Sequence, residues 1–162
     1  MVRASAQPAE AWRALREQVL QSTEWLTVDA LQRRSSSAVG LLALTQWRTF
    51  GIVFALELDD CMEVFPAYAF DPRRGYQPRP VMRAVHSHLF MRQKSLGLAA
   101  WYASPNSDLG HQRPLDLVAS APDRVLTAAR NVYGDARSGL LSMEERAIYR
   151  AAGRDLRYGS EI

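Results

Sequence analysis

Residues 98–116 read Leu-Ala-Ala-Trp-Tyr-Ala-Ser-Pro-Asn-Ser-Asp-Leu-Gly-His-Gln-Arg-Pro-Leu-Asp, and the rest of the chain can be read outward from them. The run predicts the end of one helix, a tight turn and the start of a second helix. Trp101 and Tyr102 bring two large rings to the first helix. Pro105 stops it, because proline has no N–H to donate and disfavours helical geometry at Ser104 before it. Asn106 tolerates turn geometry and can bond its own backbone. Gly110 suits a position with positive φ. Pro114 is pre-set for a first helical turn, and Leu115, Leu117 and Val118 continue the helix it opens.

Upstream, Ser95 starts the short helix that ends at Ala103, and Leu96, Ala99, Ala100 and Ala103 give it a smooth face for close packing. Val81 to Gln93 predicts another helix, with Val81, Met82, Val85, Leu89 and Phe90 on its buried side. Its two histidines, His86 and His88, stand two residues apart and face different directions. Downstream, Pro122 opens a helix whose apolar stripe is Val125, Leu126, Ala129, Val132 and Tyr133, closed by Gly134. Asp135 to Gly139 is a break. Ser142-Met143-Glu144-Glu145 is a capping box, a serine cap with glutamate three residues on. The helix it starts should run to about Gly153, leaving a polar end, Arg-Tyr-Gly-Ser-Glu-Ile.

The N-terminal half has a different texture. Ala9 to Gln21 carries Trp12, Leu15, Val19 and Leu20 near one face, which suits core packing or a dimer-forming helix. Trp25 to Leu31 opens a second helix with Thr27 as N-cap. Ser35-Ser36-Ser37 interrupts it, and Ala38 to Phe50 predicts a third helix, rich in leucine. Two short helices broken by serines have the outline of a helix-turn-helix, whose second helix would enter the major groove. Arg33, Arg34, Gln46 and Arg48 are its candidate DNA-contacting residues, whereas Leu41, Leu42 and Leu44 do not read bases. Ile52 to Leu56 and Met62 to Phe65 predict a β-hairpin around an acidic tip. Residues 72–80, with three prolines, Gly75 and three arginines, are the candidate boundary between two lobes, 1–72 and 80–162.

Composition narrows the classes. A chain of 162 residues, 48% of them hydrophobic, can build a real core. No apolar run approaches the ~20 residues of a membrane helix. A lone Cys61 makes no internal disulfide, so a reducing cytoplasm is the expected setting. All but one of the 20 basic side chains are arginine, at a net charge of +3. That suits bidentate contacts to carboxylate or phosphate without arguing for nucleic acid by itself. There is no glycine-rich phosphate loop. His86, His88 and His111 lack metal-ligand spacing, and Cys61 has no activating base or helix end beside it. The residues point away from an enzyme, with no cofactor and no metal expected.

The central run also carries a family resemblance. Trp101, Asn106, Leu109, Gly110, Arg113, Pro114, Leu115 and Asp116, followed by Val125, Leu126, Ala128 and Ala129 on an amphipathic helix, resemble the toxin-binding domain of the MbcA/ParS/Xre antitoxins. The likeness is compact over residues 80–134 and fainter over 24–72; His111 stands where that family mostly has a small residue. It implies a mainly α fold: a helix-turn-helix-like N-terminal region with a small β-hairpin, then a C-terminal helical antitoxin domain. It implies an antitoxin of a type II toxin–antitoxin system that binds a RES-domain toxin, an NAD-consuming enzyme, and blocks its NAD pocket. It also implies a homodimer that binds operator DNA and represses its own operon. Trp101, Asn106, Leu109, Gly110, Arg113, Pro114 and Asp116 would form the toxin-binding motif, most of them shaping the domain, with Asn106 and Asp116 fixing the loop by local bonds. In the resembling antitoxins the C-terminal part lies over or into the toxin's cleft, a role that here would fall to Arg154, Arg157, Tyr158 and Glu161; the other reading is that residues 140–162 cover the protein's own core. A stand-alone helix-turn-helix transcriptional regulator is the competing reading.

Overall fold

The computed structural model describes residues 6–35, 40–58, 61–89 and 94–134. Phe90, the capping box at Ser142, the last expected helix, and the tail residues Arg154, Arg157, Tyr158 and Glu161 lie outside them. The described chain is mainly α-helical with a small antiparallel sheet. No helix among the described residues is long and apolar enough to cross a membrane.

Helix α1 (Ala6–Gln21) leads into a short strand, β1 (Trp25–Thr27). The Thr27 hydroxyl then accepts from Ala30 N at 3.2 Å and caps α2 (Val28–Arg34). Thr27 is therefore the expected cap, but Trp25 and Leu26 are strand residues rather than a helical lead-in. Their backbone pairs with a partner distant in sequence: Trp25, Leu26 and Thr27 lie opposite Pro66, Phe65 and Val64 of β3 (Glu63–Pro66). Helix α3 (Leu41–Thr49) begins after Gly40, its N-cap, and is followed by its C-cap Phe50 and by Gly51, whose φ is 64°. Ala38, the residue at which the sequence suggests the helix begins, lies outside the described residues.

The hairpin is present but shorter than expected. Of the expected first hairpin strand, only β2 (Leu56–Glu57) is extended and paired with β3, which takes β1 on its other side in the sheet order β1-β3-β2. Ile52 to Ala55 is not strand. The N–H groups of Ile52 and Val53 both donate to Trp47 O, at 2.7 and 3.2 Å, so the end of α3 takes bonds that a neighbouring strand would otherwise provide. Residues 72–80 are ordered as well. Pro72–Arg74 forms a 3-10 turn that the Asp71 carboxylate caps at Arg73 N, and β4 (Phe70–Asp71) pairs with β5 (Gln77–Pro78).

The C-terminal part is helical: α4 (Pro80–Leu89), α5 (Ser95–Ala103), α6 (Pro114–Leu117) and α7 (Pro122–Gly134). Helices α5 and α7 have the bounds that the sequence suggests. Every residue of α5 from Gly97 to Ala103 is buried, the mark of a helix apolar all round. Its small residues let α1 and α6 approach closely, and α4 packs on α7. The apolar stripe of α1 accordingly turns toward α5, and Val19 is buried there. One cluster of buried side chains runs through both halves, from Val19 and Leu26 to Val125 and Val132. Burying each large apolar side chain contributes roughly 1.5–3 kcal/mol.

A buried histidine links the halves. His86 of α4 is 1% exposed and donates from Nδ1 to the Gly51 carbonyl at 2.9 Å. The carbonyl can only accept, which places the proton on Nδ1. Phe54 and Tyr102 pack edge-on to the imidazole, with centroids 5.7 and 5.9 Å away. Burial pushes the pKa of His86 down to about 4, against a smaller upward pull from the Gly51 bond. The ring is therefore neutral at pH 7.

Candidate functional site

The loop from Ser104 to Arg113 closes on one residue. Ser104 is extended (φ −94°, ψ 144°), as the following Pro105 requires, and its Oγ donates to Ala100 O at 2.7 Å. Asn106, 8% exposed, then makes four bonds. Its Oδ1 accepts from Asp108 N (2.9 Å), capping a 3-10 turn over Ser107–Leu109. Its carbonyl accepts from Leu109 N (3.0 Å) and His111 N (2.9 Å), and its N–H donates to Gln112 O (3.1 Å). A buried polar residue is stable only when its groups are satisfied in this way. The sequence points to a local bond at Asn106; its backbone role is not visible there.

The return strand of the loop needs left-handed backbone at two consecutive residues. Gly110 has φ 65° and donates to Ser107 O at 3.1 Å. A Cβ at Gly110 would meet nothing within 4 Å, so the dihedral rather than space calls for glycine. His111 follows at φ 64°, a conformation that a side chain with a Cβ adopts at a cost. Arg113, extended before Pro114, closes the unit. Its Nε and Nη2 donate to the two oxygens of Asp116 at 2.7 and 2.8 Å. This two-point bond raises the pKa of Arg113 further. Asp116 also lies in the first turn of α6, where the helix dipole favours a carboxylate. Its bond to Arg113 is the local tie that the sequence assigns to it.

Burial sorts the seven motif residues. Trp101, Asn106, Leu109 and Pro114 are buried, Arg113 is half-buried, and Gly110 and Asp116 are exposed. Trp101 packs edge-on to Tyr102 (5.0 Å) in the same apolar cluster as Leu109, Leu117 and Val118. Most of the motif thus shapes the loop, and the surface it offers is Ser107, Asp108, Gly110, His111, Gln112 and Asp116. Two residues outside the motif brace it: Asn131 of α7 donates to Asp108 Oδ2 at 3.1 Å. No sequence signal marks that pair, because its members lie on separate elements. A polar cleft of about 350 Å³ opens beside Arg113, between Glu17, Gln18 and Gln21 of α1 and Ala103.

The four candidate DNA-contacting residues are not equivalent. Arg33 and Gln46 are exposed. Arg34 forms a two-point bond to Glu24, which lowers the Glu24 pKa, and also bonds Tyr76. Arg48 pairs with Glu63. The main neighbours of α2 are β1 and β3. Among the described residues, no three His, Cys, Asp or Glu side chains gather as a metal site requires. Cys61 is exposed at the hairpin turn with φ 56°, and His88 is exposed while His86 is buried. Compared with family models, curated proteins and solved structures, the chain matches none.

Proposed function

We propose that this chain is a stoichiometric inhibitor: a cytoplasmic antitoxin of the kind its motif resembles, which binds a RES-domain toxin and blocks the toxin's NAD pocket. The observation behind this reading is the Asn106-centred loop. Its motif residues are spent on fixing one backbone shape, through the cap at Asp108, the bridge to Gln112 and the Arg113–Asp116 pair. A surface held rigid before contact loses little freedom on binding, which favours recognition of a folded partner. The exposed edge carries short polar side chains and one imidazole, a composition suited to a polar protein surface. Binding is assigned to residues 80–134, and pocket blocking to the tail that contains Arg154, Arg157, Tyr158 and Glu161. Autorepression of an operon has less behind it, since Arg34 and Arg48 already hold carboxylates.

Co-expression with the product of the neighbouring reading frame tests the proposal. A RES-type neighbour should co-purify with this chain, and Gln112→Arg on the loop edge should release it while the fold survives. A RES-type neighbour that never associates with the wild-type chain would refute it.

A further inference from the structure

The cleft beside Arg113 is framed by the last turns of α1. Ala14, Glu17, Gln18 and Gln21 are spaced three and four residues apart, so they share one face of that helix. Ala14 and Ala103 are short, and about 350 Å³ stays open between α1 and Arg113. The polar groups around this space are mostly acceptors. Gln21 Nε2 donates to Glu17 Oε1 at 3.3 Å, which leaves the Gln21 amide oxygen and the second Glu17 oxygen to accept. Ser22 Oγ, also at the cleft, gives its proton to Val19 O at 2.6 Å. Arg113 gives two of its donors to Asp116. The end of α1 adds to this bias. The last carbonyls of a helix lack intrahelical partners and form the negative end of its dipole, and α1 has no basic residue in its last turn. Arg16, the basic residue nearest that end in sequence, donates instead to Glu57 O at 2.8 Å. Counting Glu17 and Asp116 against Arg113, the cleft carries one net negative charge.

We infer that this cleft takes an arginine side chain of the partner protein, so that α1 joins the loop in one binding surface. The identity of the partner rests on the antitoxin reading; the chemistry of the cleft does not. A cationic group there meets the Glu17 carboxylate, the Gln21 amide oxygen and the carbonyl end of α1. A guanidinium fits better than an ammonium. Its planar fork of donors reaches two acceptors at once, and Glu17 and Gln21 offer theirs one helical turn apart. Its aliphatic stem can lie along Ala14 and Ala103. Arg113 is no obstacle, because its charge is matched by the two-point bond to Asp116. A carboxylate from the partner would face Glu17 and the negative end of α1, and an apolar side chain would bury amide groups without partners. The cleft is also continuous with the loop edge. Arg113 lines the cleft while Asp116, which it holds, is exposed on the loop side. The N-terminal half thereby contributes to a surface otherwise assigned to residues 80–134.

Two measurements on the full chain test this. In the first, the chain alone is titrated with ethylguanidinium chloride and followed by amide NMR, with sodium chloride at matched ionic strength as the reference. The side-chain amide signals of Gln18 and Gln21 should shift saturably, and Glu17→Gln should abolish the shift. No shift at these signals, or the same shift in Glu17→Gln, overturns the inference. In the second, capture of the RES-type neighbour is compared among variants. Glu17→Arg should weaken it by about tenfold or more, whereas Asp29→Arg, an equal charge change on α2, should not. Capture that survives Glu17→Arg but is lost in Gln112→Arg overturns the role of the cleft and leaves the antitoxin reading standing. A neighbour that never associates with the wild-type chain ends the antitoxin reading, and the ethylguanidinium titration still decides the chemistry of the cleft.

Discussion

The loop at residues 104–116 and helix α3 both reach the surface, and they are built in opposite senses. In the loop, Trp101, Leu109 and Pro114 face the core, and Asn106 uses its backbone and side chain to hold the turn. What the loop exposes is polar and short. In α3, Leu44 faces the core while Leu41, Leu42 and Phe50 face outward. The contrast shows that two surfaces of one chain can be built by different physics. One is made rigid from within and presents shape. The other leaves large apolar side chains at the surface. Substitutions of the buried residues beneath the loop should therefore register in folding, whereas those on the exposed face of α3 should leave the folded chain nearly as stable.

The largest expected effect lies beneath the loop. Trp101→Ala should lower unfolding free energy by roughly 3–5 kcal/mol in urea titration, as for other buried aromatics. Leu42→Ala on α3 should change monomer stability by no more than about 0.5 kcal/mol. Equal costs at the two sites would erase the contrast. Acid should act next, through the histidine that joins the halves. His86 titrates at about 4 in the folded chain and near 6.5 when unfolded. Between these values the unfolded chain binds more protons, so stability is full above pH 6.5 and is lost as pH falls toward 4. The loss approaches about 3 kcal/mol in total, at roughly 1.4 kcal/mol per pH unit. His86→Gln keeps a donor for Gly51 O and should flatten that limb of the stability–pH curve. A wild-type curve already flat from pH 7 to 4 would contradict the buried neutral ring.

Smaller effects sharpen the reading of the loop itself. Asn106→Ala removes the cap on Asp108 N while leaving the backbone bonds, and should cost about 1 kcal/mol. Thermal unfolding is the check; a change near zero would mean that the backbone bridge alone sets the turn. His111→Gly should instead stabilise the fold by roughly 0.5 kcal/mol, since relief of left-handed strain outweighs the greater freedom of glycine in the unfolded chain. If His111→Gly also weakens partner binding, the strain is retained for the imidazole at the loop edge.

Legibility in the sequence followed the range of the interaction. Helices α5 and α7 were readable to the residue because local signals bound them: Pro105 and Pro122, a run of alanines, and Gly134. Thr27 was readable as a cap for the same reason. Strand β1 was not, because Trp25–Thr27 is extended only by virtue of β3, far along the chain. Ile52 to Ala55 looked like strand on side-chain type, yet the backbone bonds of Ile52 and Val53 go to the end of α3. In the site, Gly110 and Pro114 announced their dihedrals, whereas Asn131 and the backbone of Asn106 carried no signature. The exposure of Leu41 and Leu42 was equally hidden, since an apolar residue type does not say which way a helix turns.

Inhibition of the toxin is tested most directly by an NAD-consumption assay. Purified RES-domain toxin from the neighbouring reading frame would be titrated with the full chain and with a chain ended at Gly153. The full chain should abolish NAD consumption at a fixed molar ratio, and the shortened chain should bind the toxin yet leave much of its activity. Unchanged NAD consumption at saturating full-length chain, with the complex verified on a sizing column, would contradict it.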